Sequence, residues 1–161
     1  MNREQFITQV ESTQKAFRRF LVALCCGDSM LADDIAQESY LKAYLACDSL
    51  SDPEKFKSWI YKIGYNTFIN HKRKARITVD IDDAKGLPSS GSLEGADEYQ
   101  ALYEGLRRIP PKERITILLF YMQGYSVKEI ADIQETTQAA VKQRLLRGRK
   151  SLHAFLSTNN L

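Results

Sequence analysis

Thr137, Gln138, Ala139, Ala140 and Lys142 stand together at the head of an apolar-periodic run, with Arg144, Arg147, Arg149 and Lys150 behind them. At the start of a helix these residue types suit the reading of paired bases. Gln matches the donor and acceptor of an adenine edge, and Ala offers a methyl contact to thymine. The cations farther along suit phosphates, which hold a protein in register without reporting sequence. The other reading is a basic amphipathic helix packed on its neighbours with no DNA role.

Two more constellations lie upstream. Asp34, Gln37, Glu38 and Leu41 recur at i, i+3, i+4 and i+7, one stripe of a helix. An acidic-polar stripe with an apolar centre suits a basic partner surface; a solvated face is the alternative. Asp33, Asp34 and Glu38 also have the carboxylates of a metal site, but no histidine or second carboxylate-bearing helix joins them. No metal or other cofactor is expected. Lys57, Trp59, Tyr61, Lys62, Tyr65, Asn66, Phe68, Asn70, Lys72 and Arg73 mix aromatics with cations, as single-stranded DNA binding requires: bases stack while cations track phosphates. A core role is the alternative for Trp59 and Phe68, leaving Lys62, Asn66, Arg73 and Arg76 as surface candidates. Two histidines give imidazole catalysis few candidates, and no catalytic residue is assigned. The three cysteines, Cys25 and Cys26 adjacent and Cys47 alone, have neither a disulfide framework nor zinc spacing. They read as buried thiols in a reducing cytoplasm.

The elements that must position these residues are helical. The chain has 161 residues, 43% apolar and 27% charged, a globular ratio with room for one or two small domains. No run of 18 apolar residues occurs, so no membrane insertion is expected, and the polar N-terminus lacks a signal-peptide core. The net charge of +3 is unevenly spread: +2 over residues 1–80, −5 over 81–105 and +6 over 106–161. A basic C-terminal third after an acidic middle fits a nucleic-acid binder. Gly, Pro and Ser crowd residues 86–95, which predicts a flexible linker.

In the N-terminal block, helices are predicted over Phe6–Leu24 and Leu31–Leu45, broken at Gly27-Asp28-Ser29. A third opens at Asp52-Pro53, with Asp as the cap and Pro where its missing N–H costs nothing, and ends in the basic run His71–Arg76. In the C-terminal block, helices are predicted over Ala96–Arg108 and from Pro110-Pro111 to Gly124, the latter with Ile115, Leu118, Leu119 and Met122 inward. Ser126 and Glu129 form a capping box for a short helix, Val127–Ile133. A turn and a helix from about Thr137 to Phe155 follow. Val141, Leu145, Gly148, Leu152 and Leu156 form its inner face, with Gly148 allowing close approach. Short helix, tight turn and longer basic helix make a helix-turn-helix.

Three ordered segments resemble the extracytoplasmic-function (ECF) type of RNA polymerase sigma factor, in the sigma-70 family. Asp34-Ile-Ala-Gln37-Glu38-Ser-Tyr40 is similar to a helix of the family's region 2. Phe56-Lys-Ser-Trp59-Ile-Tyr-Lys-Ile63-Gly-Tyr-Asn66, continuing to Asn70-His-Lys-Arg73, is similar to the next helix of that region. Leu106 to Ala131 with Val141 to Leu152 is similar to region 4. The resemblance implies an all-α fold of two small helical domains: 1–76, a linker over 77–95, and 96–161. It implies that Asp34, Gln37, Glu38 and Leu41 dock on core RNA polymerase. Asp48–Phe56 would capture a flipped base of the −10 element. Asp52, Lys57, Lys62, Asn66, Asn70, Arg73 and Arg76 would face −10 promoter DNA, and Thr137, Gln138, Lys142, Arg144 and Arg147 the −35 element. It also implies a cytoplasmic initiation factor that is not an enzyme, with an anti-sigma factor as a further partner. A stand-alone helix-turn-helix regulator is the alternative function.

The chain departs from the family pattern in three places. Gln134-Glu135-Thr136 replaces the usual Leu-Gly-Ile/Val at the helix-turn-helix corner, where Gly permits a positive φ that costs Glu more. Asn70 replaces an Asp, and Tyr65 a frequent Arg.

Overall fold

The computed structural model describes residues 1–82 and 96–158, with side chains at 1–77 and 99–158. Three helices form the N-terminal block: α1 (Arg3–Leu24), α2 (Ser29–Leu45) and α3 (Phe56–Asp82). Each start has a local cause. Asn2 and Gln5 make a reciprocal capping box on α1, and the Asp28 carboxylate caps α2 by accepting from the Leu31 N–H at 3.1 Å. Asp52 accepts from the Glu54 N–H and opens a single 3-10 turn, Pro53–Lys55, that leads into α3. The α1–α2 break uses two left-handed residues, Cys26 (φ 55°) and Gly27 (φ 91°). With Gly27 N–H bonded to Val22 O and Cys26 N–H to Ala23 O, α1 ends with its last carbonyls satisfied. Cys25, Cys26 and Cys47 are free, buried thiols, and burial pushes Cys25 up to about 12.

The helix α3 extends past the basic run at which its end is predicted, continuing to Asp82. Nothing in 77–82 stops it, since Ile77, Thr78 and Val79 contain neither Gly nor Pro. The Gly/Pro/Ser segment itself, 86–95, lies outside the described residues.

The C-terminal block comprises α4 (Ala96–Arg107), α5 (Pro111–Ile117), α6 (Val127–Ile133) and α7 (Gln138–Thr158). After α5 the chain widens into a π-turn over Leu118–Met122, closed by Gln123 N–H to Leu118 O at 3.1 Å. The wider turn shifts the phase of the side chains. Ile115, Leu118 and Leu119 stay buried as expected, but Met122 swings out to 44% exposure. Leu156 also leaves the predicted inner face and is exposed. Gly148 is a true close approach: a Cβ there would sit 2.7 Å from Ile117 Cδ1.

A single apolar core runs through both blocks. In the N-terminal block it is an aromatic cluster of edge-on pairs, with Tyr61 against Phe17 and Phe20 at 5.2 and 5.0 Å between centroids. Tyr61 also meets Tyr125 of the C-terminal block at 5.6 Å. At the joint, the guanidinium of Arg114, 5% exposed, donates to Leu106 O and Leu24 O at 2.8 Å and to Ile109 O at 3.0 Å.

Candidate partner and nucleic-acid surfaces

On α2, Asp34, Gln37 and Leu41 are exposed, as the stripe predicts. Two neighbours that the sequence pattern does not single out extend it: Met30 at 68% and Leu45 at 76% exposure. Met30, Asp34, Gln37, Leu41 and Leu45 follow each other at three- and four-residue steps, so one face carries three exposed apolar side chains. The missed signal is apolar periodicity continuing beyond the acids in both directions.

Glu38 differs from its stripe-mates. Its carboxylate is 2.7 Å from His71 Nε2 and 3.2 Å from Lys42 Nζ, which ties α2 to α3. The His71 hydrogen bond, and then Lys42, hold the Glu38 carboxyl below the usual range. A lowered folded value means the bridge stabilises above the ordinary carboxylate range and is lost as pH falls through that folded value. In His71→Ala, the Glu38 carboxyl should titrate at higher pH than in wild type, followed by carbon NMR of its side chain. An unchanged midpoint would assign the shift elsewhere. Asp33 is turned away to Arg18, Nε to Oδ1 2.8 Å. The three acids of the candidate metal site therefore do not converge, and no metal-holding group of three His, Cys, Asp or Glu occurs among the described residues.

On α3, Lys62, Asn66, Asn70, Arg73 and Arg76 follow one stripe and are exposed, except Lys62, which is half-buried. The aromatics do not join them. Tyr61, Tyr65 and Phe68 are buried and Trp59 is partly buried against Phe56. The predicted stacking platform is thus core, and the outer face of α3 is cationic and amidic. Lys57 stands off the stripe, its Nζ 5.9 Å from the centroid of the Tyr125 ring. Asp52, beyond its capping bond, is half-buried beside the two 3-10 turns of the 47–55 loop.

In the helix-turn-helix, Ser126 and Glu129 form the predicted capping box on α6. Glu135 takes φ 53° at the corner, where a glycine has no steric cost. Gln134 is buried, and its amide exchanges hydrogen bonds with Thr116 Oγ1 at 2.9 and 3.2 Å. A polar residue is thereby satisfied where the family pattern has an apolar one. The Thr137 hydroxyl accepts the Ala140 N–H at 3.1 Å, capping α7. Gln138, Lys142 and Arg147 project to solvent. Arg144 does not: it donates to Gln134 Oε1 at 2.8 Å, and its guanidinium lies against Tyr65 of α3. Arg149 is also engaged, with the Tyr121 hydroxyl at 2.8 Å.

The two blocks meet through these surfaces. Lys62 Nζ pairs with Glu135 Oε1 at 2.9 Å, and the Tyr61 hydroxyl donates to Gln123 Oε1 at 2.8 Å. The Tyr125 hydroxyl is buried in the same contact with no hydrogen-bond partner among the described residues. On another side, an apolar groove of about 850 Å³ opens between α1, α4, the π-turn and α7. Tyr99, Leu102, Tyr121, Met122 and Leu156 expose apolar surface there, and Arg19, Arg149 and His153 are also in its lining.

Comparison with known proteins places this arrangement. Family models for "Sigma-70 region 2" and "Sigma-70, region 4" match residues 9–77 and 99–152. The chain is similar to the ECF RNA polymerase sigma factor SigW of Bacillus subtilis, 29% identical over 145 residues, covering 81% of this chain and 78% of that one. It is 33% identical over 134 residues to the ECF RNA polymerase sigma-E factor of Salmonella typhimurium, covering 74% and 70%. Among solved structures, the sigma factor RpoE of Bartonella quintana, in complex with the anti-sigma factor NepR, matches with a TM-score of 0.78 and 25% identity over 94% of this chain and 96% of that one.

Proposed function

Because the chain belongs to the ECF RNA polymerase sigma factors of the sigma-70 family, which bind core RNA polymerase and direct it to promoters, we propose that its two blocks divide that task. Residues 1–76 bind core polymerase and the −10 element, 96–161 bind the −35 element, and 77–95 connect them. Asp34, Gln37, Glu38 and Leu41, extended by Met30 and Leu45, dock on core. Lys62, Asn66, Asn70, Arg73 and Arg76 track the unpaired −10 strand, with Lys57 and Asp52 at its edge. Thr137, Gln138, Lys142, Arg144 and Arg147 face the −35 duplex. The observation that carries this division is the exposed apolar-acidic face of α2 beside a cationic face on α3: a stand-alone duplex binder has no use for the first.

The factor performs no bond chemistry. Its contribution to melting is the binding energy of the separated strand, held by cations and amides rather than stacked on aromatics. It acts in the cytoplasm, in keeping with its free thiols. As the Bartonella relative is bound by an anti-sigma factor, we assign the apolar groove to a regulatory partner of that kind, presenting an apolar helix face with acids toward Arg19 and Arg149.

Run-off transcription from a library of promoter fragments, with bacterial core polymerase, tests the assignment. Transcripts that need the chain and share a two-part sequence are expected. Absence of both transcripts and core binding would refute it. Within that assay, Gln138→Ala should relax preference at one −35 position, losing about 1–3 kcal/mol of discrimination. Arg147→Ala, farther along the helix and exposed, should weaken all promoters alike and flatten the salt dependence. Identical base preferences in wild type and Gln138→Ala would remove Gln138 from the reading set.

A further inference from the structure

Three of the five residues at which this chain departs from the family pattern gather in one place. Gln134 and Glu135 at the helix-turn-helix corner and Tyr65 on α3 lie where the two blocks face each other, through Glu135 on Lys62 and Arg144 against both Gln134 and Tyr65. Each pairing occupies a side chain assigned above to DNA. Lys62 belongs to the −10 set, so the closed molecule withholds a −10 cation, while Arg144 of the −35 set is held by Gln134 within its own block.

We propose that the helix-turn-helix corner of this chain is an internal competitor for the −10 strand, the Glu135 carboxylate occupying on Lys62 the place of a backbone phosphate. The proposal rests on the assignment of the α3 stripe to the unpaired strand. A carboxylate and a phosphate diester offer an ammonium the same partner, an anionic oxygen at hydrogen-bonding distance, here 2.9 Å away. The competitor is held in place by the contacts around it, Tyr61 on Gln123 and the Tyr61–Tyr125 edge. It is also built to let go. The ion pair is 39% and 63% exposed on its two sides, and the Tyr125 hydroxyl is buried with no hydrogen-bond partner among the described residues. Opening hydrates that hydroxyl and frees Lys62, while Arg144 keeps Gln134, which lies in its own block. Closure therefore lowers the apparent strand affinity by the fraction of molecules that are open.

The test is a mutant cycle on the full chain, with fluorescence anisotropy of a labelled single-stranded −10 oligonucleotide at fixed salt. Glu135→Gln keeps the shape and backbone strain but removes the charge; it should tighten binding by up to about fivefold, the range of an exposed ion pair. Lys62→Gln should weaken binding, and Glu135→Gln should add nothing in its background. Tyr125→Phe removes the orphan hydroxyl, favours closure, and should weaken binding by about fivefold or more. An affinity in Glu135→Gln equal to wild type overturns the competitor. So does a gain that persists in the Lys62→Gln background, which is general charge repulsion. Lys62→Gln binding like wild type instead overturns the assignment of Lys62 to the strand, and the competitor with it.

Discussion

Leu41→Asp should abolish capture of core RNA polymerase, weakening it at least about 100-fold, while leaving the fold and strand binding intact. Leu41 is 59% exposed between Gln37 and Leu45, outside the buried core. Substitutions at such positions change stability by about 0.5 kcal/mol or less. Apolar anchors at the centre of an interface are worth about 2–4 kcal/mol on truncation, and burying an unpaired carboxylate there costs more. Glu38→Ala is a poorer probe of the same surface, because Glu38 also bridges to His71 and Lys42. The decisive measurement is affinity of labelled chain for core polymerase, with circular dichroism as the fold control. Wild-type affinity in both Leu41→Asp and Leu45→Asp would remove this face of α2 from the polymerase contact.

What was legible in the sequence was local. Asp52-Pro53 and Ser126 with Glu129 each act within a few residues and stand where their chemistry puts them, while the break predicted at Gly27-Asp28-Ser29 ends one residue early, because Asp28 caps α2 and Ser29 opens it. The same holds for the strained corner, since the cost of Glu in a left-handed turn follows from one residue and Glu135 does take φ 53°. Where the periodicity met a competing interpretation, the outcome was mixed. Tyr61, Tyr65 and Phe68 repeat at i, i+4 and i+7, the spacing of a buried stripe, and core packing won over stacking on bases. Met122 faces outward because its segment closes as a π-turn rather than as the regular helix its spacing predicts. The pairings between distant residues left no pattern to find. Glu38 with His71, Lys62 with Glu135, and Tyr61 with Gln123 join groups 33 to 73 positions apart, and no spacing rule connects them. Those pairings make part of the candidate DNA surface a contact between the blocks.

The joint between the blocks depends most on one buried cation. Arg114→Met should destabilise the protein, since each buried carbonyl left without its donor costs about 1–3 kcal/mol. Its partners are not acids. Leu106 O, Arg107 O and Ile109 O are carbonyls at the C-terminal end of α4, and Leu24 O is one at the end of α1. Helix C-termini carry partial negative charge and lack intrahelical donors, so two helix ends together solvate one guanidinium. Burial pushes the Arg114 pKa down, yet nothing suggests that it gives up its proton, because a neutral side chain would leave these carbonyls short of donors. Arg114→Lys keeps the charge, but an ammonium cannot span the same fan of four oxygens, so it should recover only part of the loss. Urea unfolding followed by circular dichroism gives both values. A midpoint in Arg114→Met equal to wild type would mean that the carbonyls find water instead, and that apolar packing alone holds α4 against α1.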